Sequence, residues 1–401
     1  MAEWIDCKIA DLGTVIGGAT PSTKRLEYYE NGSIAWITPK DLSTFRGRYI
    51  RCGERNITEI GLKSCSTQLL PKNTVLFSSR APIGYIAIAE NELCTNQGFK
   101  SVIPNENTDP LFLYYLLKYN KNKIESMGSG TTFKEVSGNT LKNIVVSVPR
   151  DKKVQEQISS ILGAIDDKIE ANEKINNNLE QQAQAIFKSW FIDFDPFDGI
   201  RPSDWIIGTI DNLGSEIICG KTPSTKKKEY YGSDMPFITI PDMHGCVYNV
   251  VTEKYLSIAG IASQSKKTLP PNSVCVSCIG TAGLVTLVSE KSQSNQQINA
   301  ITPKEGISPY YVYLLMKTLS KIINKLGQSG STIVNLNKKQ FSKIQVIIPS
   351  RSILCNFDIL CNPLFEMILS NQRENIRLVN LRDILLTKLM KGELDVSNIN
   401  L

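Results

Sequence analysis

Two nearly identical stretches of sequence, "GGATPSTK" (residues 17–24) and "CGKTPSTK" (residues 219–226), decide the domain organisation of this chain. The shared Thr-Pro-Ser-Thr-Lys segments stand 202 residues apart, and a Tyr-Tyr pair follows each of them. This composition is typical of a turn, because Gly permits unusual φ values and Pro fixes φ. We expect each octet to be a loop whose Ser and Thr side chains cap backbone groups or meet phosphate oxygens.

The repeat extends far beyond the octet. "LPKNTVLFSSRAPIG" (70–84) matches "LPPNSVCVSCIGTAG" (269–283), and "NQGFKSVIPNENTDPLFLYYLLK" (96–118) matches "NQQINAITPKEGISPYYVYLLMK" (295–317), both at an offset of 199 residues. Two copies of about 150 residues are too long for solenoid units and have the size of domains. The sequence therefore predicts two similar domains, each able to fold alone.

Local patterns within the copies predict mixed secondary structure in which strands dominate. Short apolar runs at 74–77, 85–88 and 144–148 are bounded by Gly, Pro, Asn and Ser, which is typical of strands. The segments 111–123 and 310–325 have the pattern of helices. The expected fold class is α+β.

A different pattern follows each copy. Between Val154 and Trp190 there is no proline, and apolar residues recur every seven positions, as in a coiled coil. A helix of this length would exceed about 50 Å and needs a partner helix. A second heptad series follows 199 residues later. The residues expected to pack between the helices are Ile158, Ile165, Asn172, Leu179, Ile186, Phe357, Leu364, Asn371, Leu378 and Leu385.

Two details refine the helix prediction. Asn172 and Asn371 occupy equivalent positions in the two heptad series, as buried asparagines that fix helix register do. Asn362 and Pro363 predict a break in the second helix, because Asn can cap a helix and Pro can open one. A helix pair that merely packs two domains together would explain the heptads, but it would not explain why the domains are duplicated.

Composition restricts the classes of function and location. The chain has 45 Lys and Arg against 39 Asp and Glu, and the net charge of +6 permits a polyanionic partner without requiring one. The ten cysteines lack the dense, regular spacing of a small secreted domain. The sequence starts without a secretion signal and contains no run of about 18 apolar residues. We expect reduced thiols, a cytoplasmic location and no membrane partner.

No motif predicts a catalytic residue, a metal or a cofactor. Gly220-Lys221-Thr222 ends like a phosphate-binding loop, but Ser215 stands where that motif needs glycine. Cys275 and Cys278 have metal-ligand spacing without a second pair, so buried strand thiols are favoured. His244 is the only histidine, which leaves no Ser-His-Asp or Cys-His arrangement unless His244 itself serves. We interpret His244 as a surface or contact residue.

Two similar domains joined by heptad helices resemble the specificity subunits of type I restriction-modification enzymes. Residues 154–196, "VQEQISSILGAIDDKIEANEKINNNLEQQAQAIFKSWFIDFDP", are similar to the central conserved region of that family, and "LRDILLTKLMKGELDV" (381–396) is similar to its distal conserved region. The resemblance covers essentially the whole chain. It implies target-recognition domain 1 at 1–150, a central conserved helix at 151–196, target-recognition domain 2 at 197–350 and a distal conserved helix at 351–401.

The resemblance also implies an architecture and a division of labour. The fold would be α+β, with two pseudo-repeated mixed α/β target-recognition domains joined by two long antiparallel coiled-coil helices. Each domain would read one half of a bipartite asymmetric site in double-stranded DNA. The helices would set the spacer and dock two methyltransferase subunits, and restriction subunits would join through the assembled complex. The chain itself would be non-catalytic, within an adenine-N6 DNA methyltransferase and type I site-specific deoxyribonuclease.

Two alternatives belong to other classes. The chain could be a stand-alone bipartite DNA-binding or scaffolding protein, whose helices only join its domains. Stable co-purification with an adenine methyltransferase distinguishes the specificity subunit from this alternative. A catalytic subunit would require a cofactor loop, and the sequence has none.

Candidate DNA contacts are polar and basic residues in the loops between strands. Arg80 is the best candidate for reading a guanine edge, because one Arg can bond O6 and N7 together, whereas lysines are expected on phosphates. An asymmetric target requires the copies to differ at contact positions, and Arg80 is matched by Ile279 or Gly280. Candidates in the first copy are Lys24, Arg25, Thr38, Lys40, Arg46, Arg48, Ser79, Arg80, Thr131, Thr132 and Lys134. Candidates in the second copy are Lys221, Lys226, Lys227, Thr239, His244, Lys266, Ser277, Thr281, Gln328 and Asn335.

Overall fold

The computed structural model describes residues 3–80, 82–130, 134–328 and 335–396. The chain forms two compact units. Unit 1 comprises Met1–Glu170 and Arg377–Leu401, and unit 2 comprises Ala171–Ile376. The boundary between the units therefore falls inside each of the two longest helices.

Unit 1 contains ten strands and six short helices among the residues that the structure describes, before the first long helix begins. The strands are β1 (Trp4–Lys8), β2 (Gly13–Gly17), β3 (Ile34–Ile37), β4 (Tyr49–Ile50), β5 (Arg55–Ile57), β6 (Val75–Ser79), β7 (Ile83–Ala89), β8 (Cys94–Thr95), β9 (Lys100–Pro104) and β10 (Val145–Pro149). The helices are α1 (Ile9–Leu12), α2 (Pro39–Thr44), α3 (Glu59–Lys63), α4 (Pro110–Tyr119), α5 (Lys121–Ser126), α6 (Gly138–Lys142) and the long α7 (Lys152–Lys188).

Unit 2 repeats this succession of ten strands, with fewer short α-helices between them. Its strands are β11 (Ile206–Thr209), β12 (Gly214–Cys219), β13 (Tyr231–Ile238), β14 (Tyr248–Asn249), β15 (Lys254–Leu256), β16 (Val274–Ser277), β17 (Val285–Val288), β18 (Gln293–Ser294), β19 (Ile298–Pro303) and β20 (Gln345–Ile348). Its helices are α8 (Ile258–Ala262), α9 (Pro309–Gly327), α10 (Lys338–Ser342) and the long α11 (Arg351–Met390).

The sheets of the two units have the same topology. In unit 1 the strand orders are β2-β9-β6-β7-β4, β5-β3-β8 and β1-β10. In unit 2 they are β12-β19-β16-β17-β14, β15-β13-β18 and β11-β20. The expected α+β class and the duplicated domain are thus confirmed. The strands predicted at 74–77, 85–88 and 144–148 correspond to β6, β7 and β10, and the helix predicted at 310–325 lies within α9. The helix predicted at 111–123 is divided into α4 and α5.

The five-stranded sheet of each unit is buried on both faces. In unit 1, Phe77 of β6 packs in a cluster with α4, whereas its neighbour Leu76 packs in a separate cluster on the other side. This alternation follows from the pleat, which turns successive side chains to opposite faces. In unit 2, Val276 and Cys275 of β16 divide in the same way.

The long helices pack against each other as antiparallel partners. In unit 2, Asn371 Nδ2 donates a hydrogen bond to Asn176 Oδ1 at 2.9 Å, and the rings of Phe187 and Phe357 lie 6.4 Å apart. Residues further along α7 therefore contact residues earlier in α11, which is the antiparallel arrangement. In unit 1, Arg382 Nη1 of α11 donates to Asp166 Oδ1 of α7 at 2.8 Å.

The prediction of ten residues that pack between the two long helices is only partly correct. Ile158, Asn172, Phe357 and Asn371 are buried. The other six predicted residues are only half-buried, and they are Ile165, Leu179, Ile186, Leu364, Leu378 and Leu385. The fully buried helix residues in their place include Leu162, Ala183, Phe187, Cys361, Phe365 and Ile368. Each helix packs against a domain core as well as against its partner, so its buried face follows the 3.6-residue period and leaves the strict heptad line.

The predicted helix break at Asn362 and Pro363 is wrong. α11 continues through Pro363 without interruption. Pro363 is exposed, so the carbonyl group that loses its intrahelical partner can turn towards solvent. Cys361 and Phe365 on the opposite face are fully buried and hold the helix in place. Asn362 does not cap the helix; its side chain accepts a hydrogen bond from the Tyr310 hydroxyl at 2.7 Å.

α11 is also the one helix in the described part of the chain that is long and apolar enough to cross a membrane by length and composition. This is weak evidence for a membrane span, because core helices of soluble proteins pass the same test. Its apolar residues include a buried row, such as Phe357 and Phe365, which belongs to the core of unit 2.

Candidate nucleic-acid interface

In unit 1 the first octet is a loop that is fixed on a second loop. We call residues 18–24 the octet loop and residues 95–98, "TNQG", the NQ loop. Ala19 N donates to Thr95 O at 3.1 Å, and Thr20 Oγ1 donates to Gln97 Oε1. A Cβ atom on Gly18 would lie 2.2 Å from Thr95 O, so only glycine permits this close approach.

Unit 2 builds the same pair of loops from residues 220–226 and from "SNQQ" (294–297). Lys221 N donates to Ser294 O at 2.9 Å, and Thr222 Oγ1 donates to Gln296 Oε1 at 2.5 Å. A Cβ atom on Gly220 would lie 2.2 Å from Asn295 O. The prediction that the octet is a turn within a domain repeat is therefore confirmed in both copies.

A capped helical turn adjoins each NQ loop. Asn96 N donates to Ile37 O at 3.0 Å, which places the NQ loop beside Thr38, and Asn295 N donates to Ile238 O at 3.1 Å beside Thr239. The Thr38 hydroxyl donates to Asp41 at 2.6 Å, as the Thr239 hydroxyl does to Asp242. Both threonines therefore cap helical turns, which fixes the chain next to the NQ loop.

The end of the central strand completes the edge in each unit. In unit 1, Ser79 N donates to Gly98 O at 2.7 Å, and Val136 N donates to Ser79 O at 2.9 Å. In unit 2, Cys278 N donates to Gln297 O at 2.8 Å, and Leu336 N donates to Cys278 O at 2.9 Å. One edge of each unit thus brings together the octet loop, the NQ loop, the capped turn and the end of the central strand.

The two edges carry different charges at positions whose backbone contacts correspond. In unit 1, Glu135 accepts from Lys100 at 3.4 Å and lies 3.7 Å from the Arg80 guanidinium. Arg80 and Glu135 each keep 37% of their side-chain surface exposed. In unit 2 the bridge that corresponds to Arg80 and Glu135 joins Ile279 and Asn335, and it carries no charge. Equivalent positions therefore offer a cation and an anion in one unit and neutral groups in the other.

Most of the predicted DNA contacts that the structure describes are accessible. Thr38, Arg80 and Thr239 are half-buried at the edge just described. Asn335 N donates to Gly327 O at 2.9 Å, which brings Gln328 to the same edge. Arg46 and Lys266 lie on other segments, after α2 and after α8. Thr131 and Thr132 fall outside the described residues. The exposed candidates are Lys24, Arg25, Lys40, Arg46, Lys134, Lys221, Lys226, Lys227, His244, Lys266, Thr281, Gln328 and Asn335.

Three predicted contacts are wrong because their side chains are buried. Ser79 and Ser277 have no exposed surface. The Ser79 hydroxyl donates to Gly98 O at 3.2 Å, and Ser277 Oγ accepts from Leu284 N at 2.8 Å. Arg48 is 4% exposed. These side chains hold loops and helices together. They point inwards because the strand pleat turns both serines to a buried face and because Arg48 docks on a helix.

Arg48 connects a loop of unit 1 to α7. Its Nε donates to Glu170 Oε1 at 3.1 Å, its Nη1 donates to Gly163 O at 3.3 Å, and its Nη2 pairs with Asp167. Burial opposes the charge on the guanidinium, but the hydrogen bond to Glu170 and the other acceptors hold the pKa of Arg48 above its ordinary value. Arg48 is a structural residue of unit 1.

The glutamines of the NQ loop are accessible polar residues that are absent from the predicted contacts. Gln97 and Gln296 are exposed, and Gln297 is half-buried beside Ile279, whose carbonyl oxygen lies 3.5 Å from Gln297 Nε2. Asn and Gln amides are common readers of adenine and common donors to DNA phosphates. The signal was present, because Asn-Gln occurs in both copies at an offset of 199 residues.

The two cysteines with metal-ligand spacing are buried thiols. Cys275 and Cys278 belong to different apolar clusters, and they are 0% and 1% exposed. Burial raises the pKa of each thiol to about 12. All ten cysteines are free thiols in the structure. Within residues 3–80, 82–130, 134–328 and 335–396, no group of three or more His, Cys, Asp or Glu side chains could hold a metal ion.

Comparison with known proteins agrees with this architecture. Residues 1–181 and 202–353 match the family described as the type I restriction modification DNA specificity domain. The chain is 32% identical to the type I restriction enzyme HindI specificity subunit of Haemophilus influenzae, over 98% of this chain and 100% of that protein. It is 34% identical to the MjaIX specificity subunit of Methanocaldococcus jannaschii, over 99% of this chain and 95% of that protein.

A solved structure shows the same fold. The type I restriction-modification S subunit of M. genitalium has a TM-score of 0.61 to this chain at 17% identity, and the match covers 97% of this chain and 96% of that one. The family match covers both units, and the two relatives are matched over nearly their whole length. The chain therefore belongs to the family of type I restriction-modification specificity subunits.

Proposed function

We propose that this chain is the DNA sequence-specificity subunit of a type I restriction-modification complex, and that each unit reads one half of a bipartite, asymmetric DNA site. The observation that carries the proposal is that two units of identical sheet topology present different side chains at one edge. Arg80 and Glu135 in unit 1 correspond to Ile279 and Asn335 in unit 2. A shared frame with different contact groups is what two different half-sites require.

The chemistry of these edges suits duplex DNA. Arg80 offers the paired donors that fit guanine O6 and N7, and its Glu135 partner offers an acceptor that fits the amino group of cytosine. In unit 2, the amides of Gln297 and Asn335 offer a donor and an acceptor together, which suits adenine. The first half-site should therefore contain a G·C pair at the position opposite Arg80, and the second an A·T pair at the equivalent position.

A domain exchange tests the proposal. Residues 205–350 are replaced by the equivalent part of a related specificity subunit, and the methylated sites are determined by methylation-sensitive sequencing. One half-site should change while the other stays the same, because unit 1 and its edge are untouched. The matched control exchanges residues 1–150 and should change the other half-site. A change in both half-sites from either exchange would refute the two-reader proposal.

We further propose that the long helices dock two methyltransferase subunits and that this chain contributes no catalytic group of its own. Large apolar side chains are exposed on α11, and exposed apolar patches mark protein interfaces. In unit 2, Ile359 is 71% exposed and Met367 is 51% exposed. In unit 1, Leu381 is 47% and Ile384 is 57% exposed. These residues are not needed for the packing of either unit.

Co-purification distinguishes this role from that of a stand-alone DNA-binding protein. The wild-type chain should form a stable complex with its methyltransferase partner, and Met367→Ser or Ile384→Ser should weaken that complex. Ser370→Ala, at another exposed position of α11, is the matched control and should not. A wild-type chain that stays monomeric and binds DNA tightly would favour the stand-alone alternative. We also propose that the chain works in the cytoplasm, because its proposed partner is DNA.

We propose, finally, that the helix pair sets the spacer between the half-sites. Four residues inserted near Asn177 would lengthen α7 by about 6 Å, or one to two base pairs at about 3.4 Å each. Because α7 pairs with α11 in antiparallel fashion, the same insertion is made near Ser370, which preserves the pairing on either side. Methylation should move to a site with both half-sites intact and a gap that is longer by one or two base pairs. Methylation with the original gap would show that another element measures the distance.

A further inference from the structure

We propose that the octet loop and the exposed glutamine of the NQ loop form a contact to the DNA sugar-phosphate backbone, made once in each unit and independent of the half-site sequence. This inference rests on the proposed function, because it assumes that the described edge faces DNA. Such a contact would explain why the octet is repeated, which neither the fold nor the reading of bases explains.

The two octets are identical at three positions where the fold does not require identity. Pro21 is buried, and its carbonyl oxygen accepts from the Tyr29 hydroxyl at 2.6 Å, so packing explains this residue. Ser22, Thr23 and Lys24 are exposed. Within the described part of the chain, their side chains make no hydrogen bond or ion pair. Yet the same three residue types recur as Ser224, Thr225 and Lys226 in unit 2, and there too they are exposed.

Two glutamines have matched orientations in the two units. Thr20 donates to Gln97 Oε1 in unit 1, and Thr222 donates to Gln296 Oε1 in unit 2. With the amide oxygen held by the threonine, the Nε2 group is left as a donor directed away from that bond. Both glutamines are exposed, so this donor is available to a ligand. A fixed donor with an engaged acceptor suits an oxygen ligand such as phosphate.

Contacts to bases and contacts to the DNA backbone place different demands on the two units. Two different half-sites share no base sequence, but they share an identical phosphodiester backbone. Residues that read bases must therefore differ between the units, as Arg80 and Ile279 do. Residues that contact the sugar-phosphate backbone of DNA can be the same in both units. Hydroxyl, amide and ammonium groups are the donors that proteins place on DNA phosphates.

The charges around the octet loop permit this contact. The nearest acidic side chain in sequence, Glu27, lies 3.4 Å from the guanidinium of Arg25, which offsets its charge. In unit 2, Lys227 Nζ donates to the Tyr230 hydroxyl at 3.2 Å, and this hydrogen bond raises the pKa of Lys227, so its ammonium group stays charged beside Lys226. Each octet loop thus ends in a lysine that is followed directly by a second cation, as Lys24 is by Arg25 and Lys226 is by Lys227.

The experiment measures DNA binding by the full chain in complex with its methyltransferase partner. The variants are Lys24→Ala and Gln97→Ala in unit 1, and Lys226→Ala and Gln296→Ala in unit 2. Affinity is measured for the specific site and for unrelated DNA over a range of salt concentrations. Base preference is measured by selection from a library with randomised half-sites.

Each variant should weaken binding to specific and unrelated DNA by the same factor, about three- to tenfold, and leave base preference unchanged. Each lysine variant should also reduce the salt slope by about 0.9, the value for one lost phosphate contact. Lys72→Ala and Lys304→Ala are matched controls, because these exposed lysines lie at the opposite ends of β6 and β19 from the NQ loops. They should change neither quantity.

Three outcomes would overturn the inference or its basis. A changed base preference at one half-site would make the altered residue a base reader. An unchanged affinity in all four variants, with the wild-type complex still selective, would show that the octet loop does not contact DNA. A wild-type complex that does not bind DNA selectively would instead refute the proposed function. Because Lys24 and Lys226 have no side-chain partner among the described residues, their variants should fold normally, as thermal melting can verify.

Discussion

Asn172 Nδ2 donates a hydrogen bond to Asn375 Oδ1 at 2.8 Å, within unit 2. A second contact, from Asn371 Nδ2 to Asn176 Oδ1 at 2.9 Å, is its counterpart in the repeat, because both pairs of equivalent asparagines stand 199 residues apart. Asn172 is fully buried and Asn371 is 8% exposed. Buried amide pairs of this kind penalise every register except the one that satisfies them.

Asn172→Ala should lower the free energy of unfolding by about 1–3 kcal/mol, because Asn375 and Glu374 lose a buried donor. Urea denaturation followed by the helical circular dichroism signal measures this change. The exposed Asn177→Ala is the control and should stay within about 0.5 kcal/mol of the wild type. If Asn172→Ala and Asn375→Ala have strictly additive effects in a double-mutant cycle, the amide contact does not stabilise the helix pair.

Arg48→Ala should destabilise unit 1 by about 2–3 kcal/mol, because it removes a buried charge that joins a loop to α7. The value lies below that of a fully buried pair, because 71% of the Asp167 side chain is exposed. Arg46→Ala, two residues away and exposed, should leave stability unchanged. Once folded, Arg48→Ala should bind DNA like the wild type. If Arg48→Ala lost base preference without losing stability, Arg48 would be a DNA contact after all.

The buried thiols should resist alkylation. Burial raises the pKa of Cys275, Cys278 and Cys361 to about 12, so almost no thiolate exists near neutral pH. With iodoacetamide at about pH 8, the exposed Cys52 and Cys355 should react first, as peptide mass spectrometry can show. Unfolding in urea should make all ten cysteines reactive. Early alkylation of Cys275 in the folded protein would contradict the burial of β16.

Asp358 should make stability depend on pH in the acid range. Burial raises the pKa of its carboxyl group above the ordinary value, and the hydrogen bond from Ser308 only partly offsets this. The folded state then holds the proton more tightly than the unfolded state, so its contribution to stability is present below the ordinary pKa of about 3.9 and is lost as the pH rises through the raised pKa. Asp358→Asn should remove this loss, so the gain in melting temperature over the wild type should be larger at neutral pH than at about pH 4.

The control for this titration is Asp204→Asn, at an exposed position of unit 2. It should keep the wild-type profile of melting temperature against pH. A difference between Asp358→Asn and the wild type that stays constant over the whole pH range would mean that the substitution acts through packing and not through the proton.

Local sequence was sufficient to predict most of the strands and helices, the octet loops and the duplication of the domain. Strands such as β6 and β10, the helix α9 and both octet loops follow from short-range patterns, because alternation, helical periodicity and turn residues act over a few positions. Duplication was visible because the two copies keep the same residue types in the same order. The structure differs from the prediction at Pro363, because local preference favours a break there, whereas the buried row with Cys361 and Phe365 keeps the helix continuous.

The sequence by itself determined the two α+β copies, the heptad helices and the residue types available for DNA contact. Only the tertiary structure decided which of those residues face solvent. Arg48, Ser79 and Ser277 are polar residues near loops like Arg80, yet they are buried while Arg80 remains accessible. The physical reason is that strand pleat, helix docking and the pairing of loops distant in sequence set the direction of each side chain. The Thr20 and Gln97 pair exists only because the octet loop and the NQ loop, 77 residues apart, meet in the folded chain.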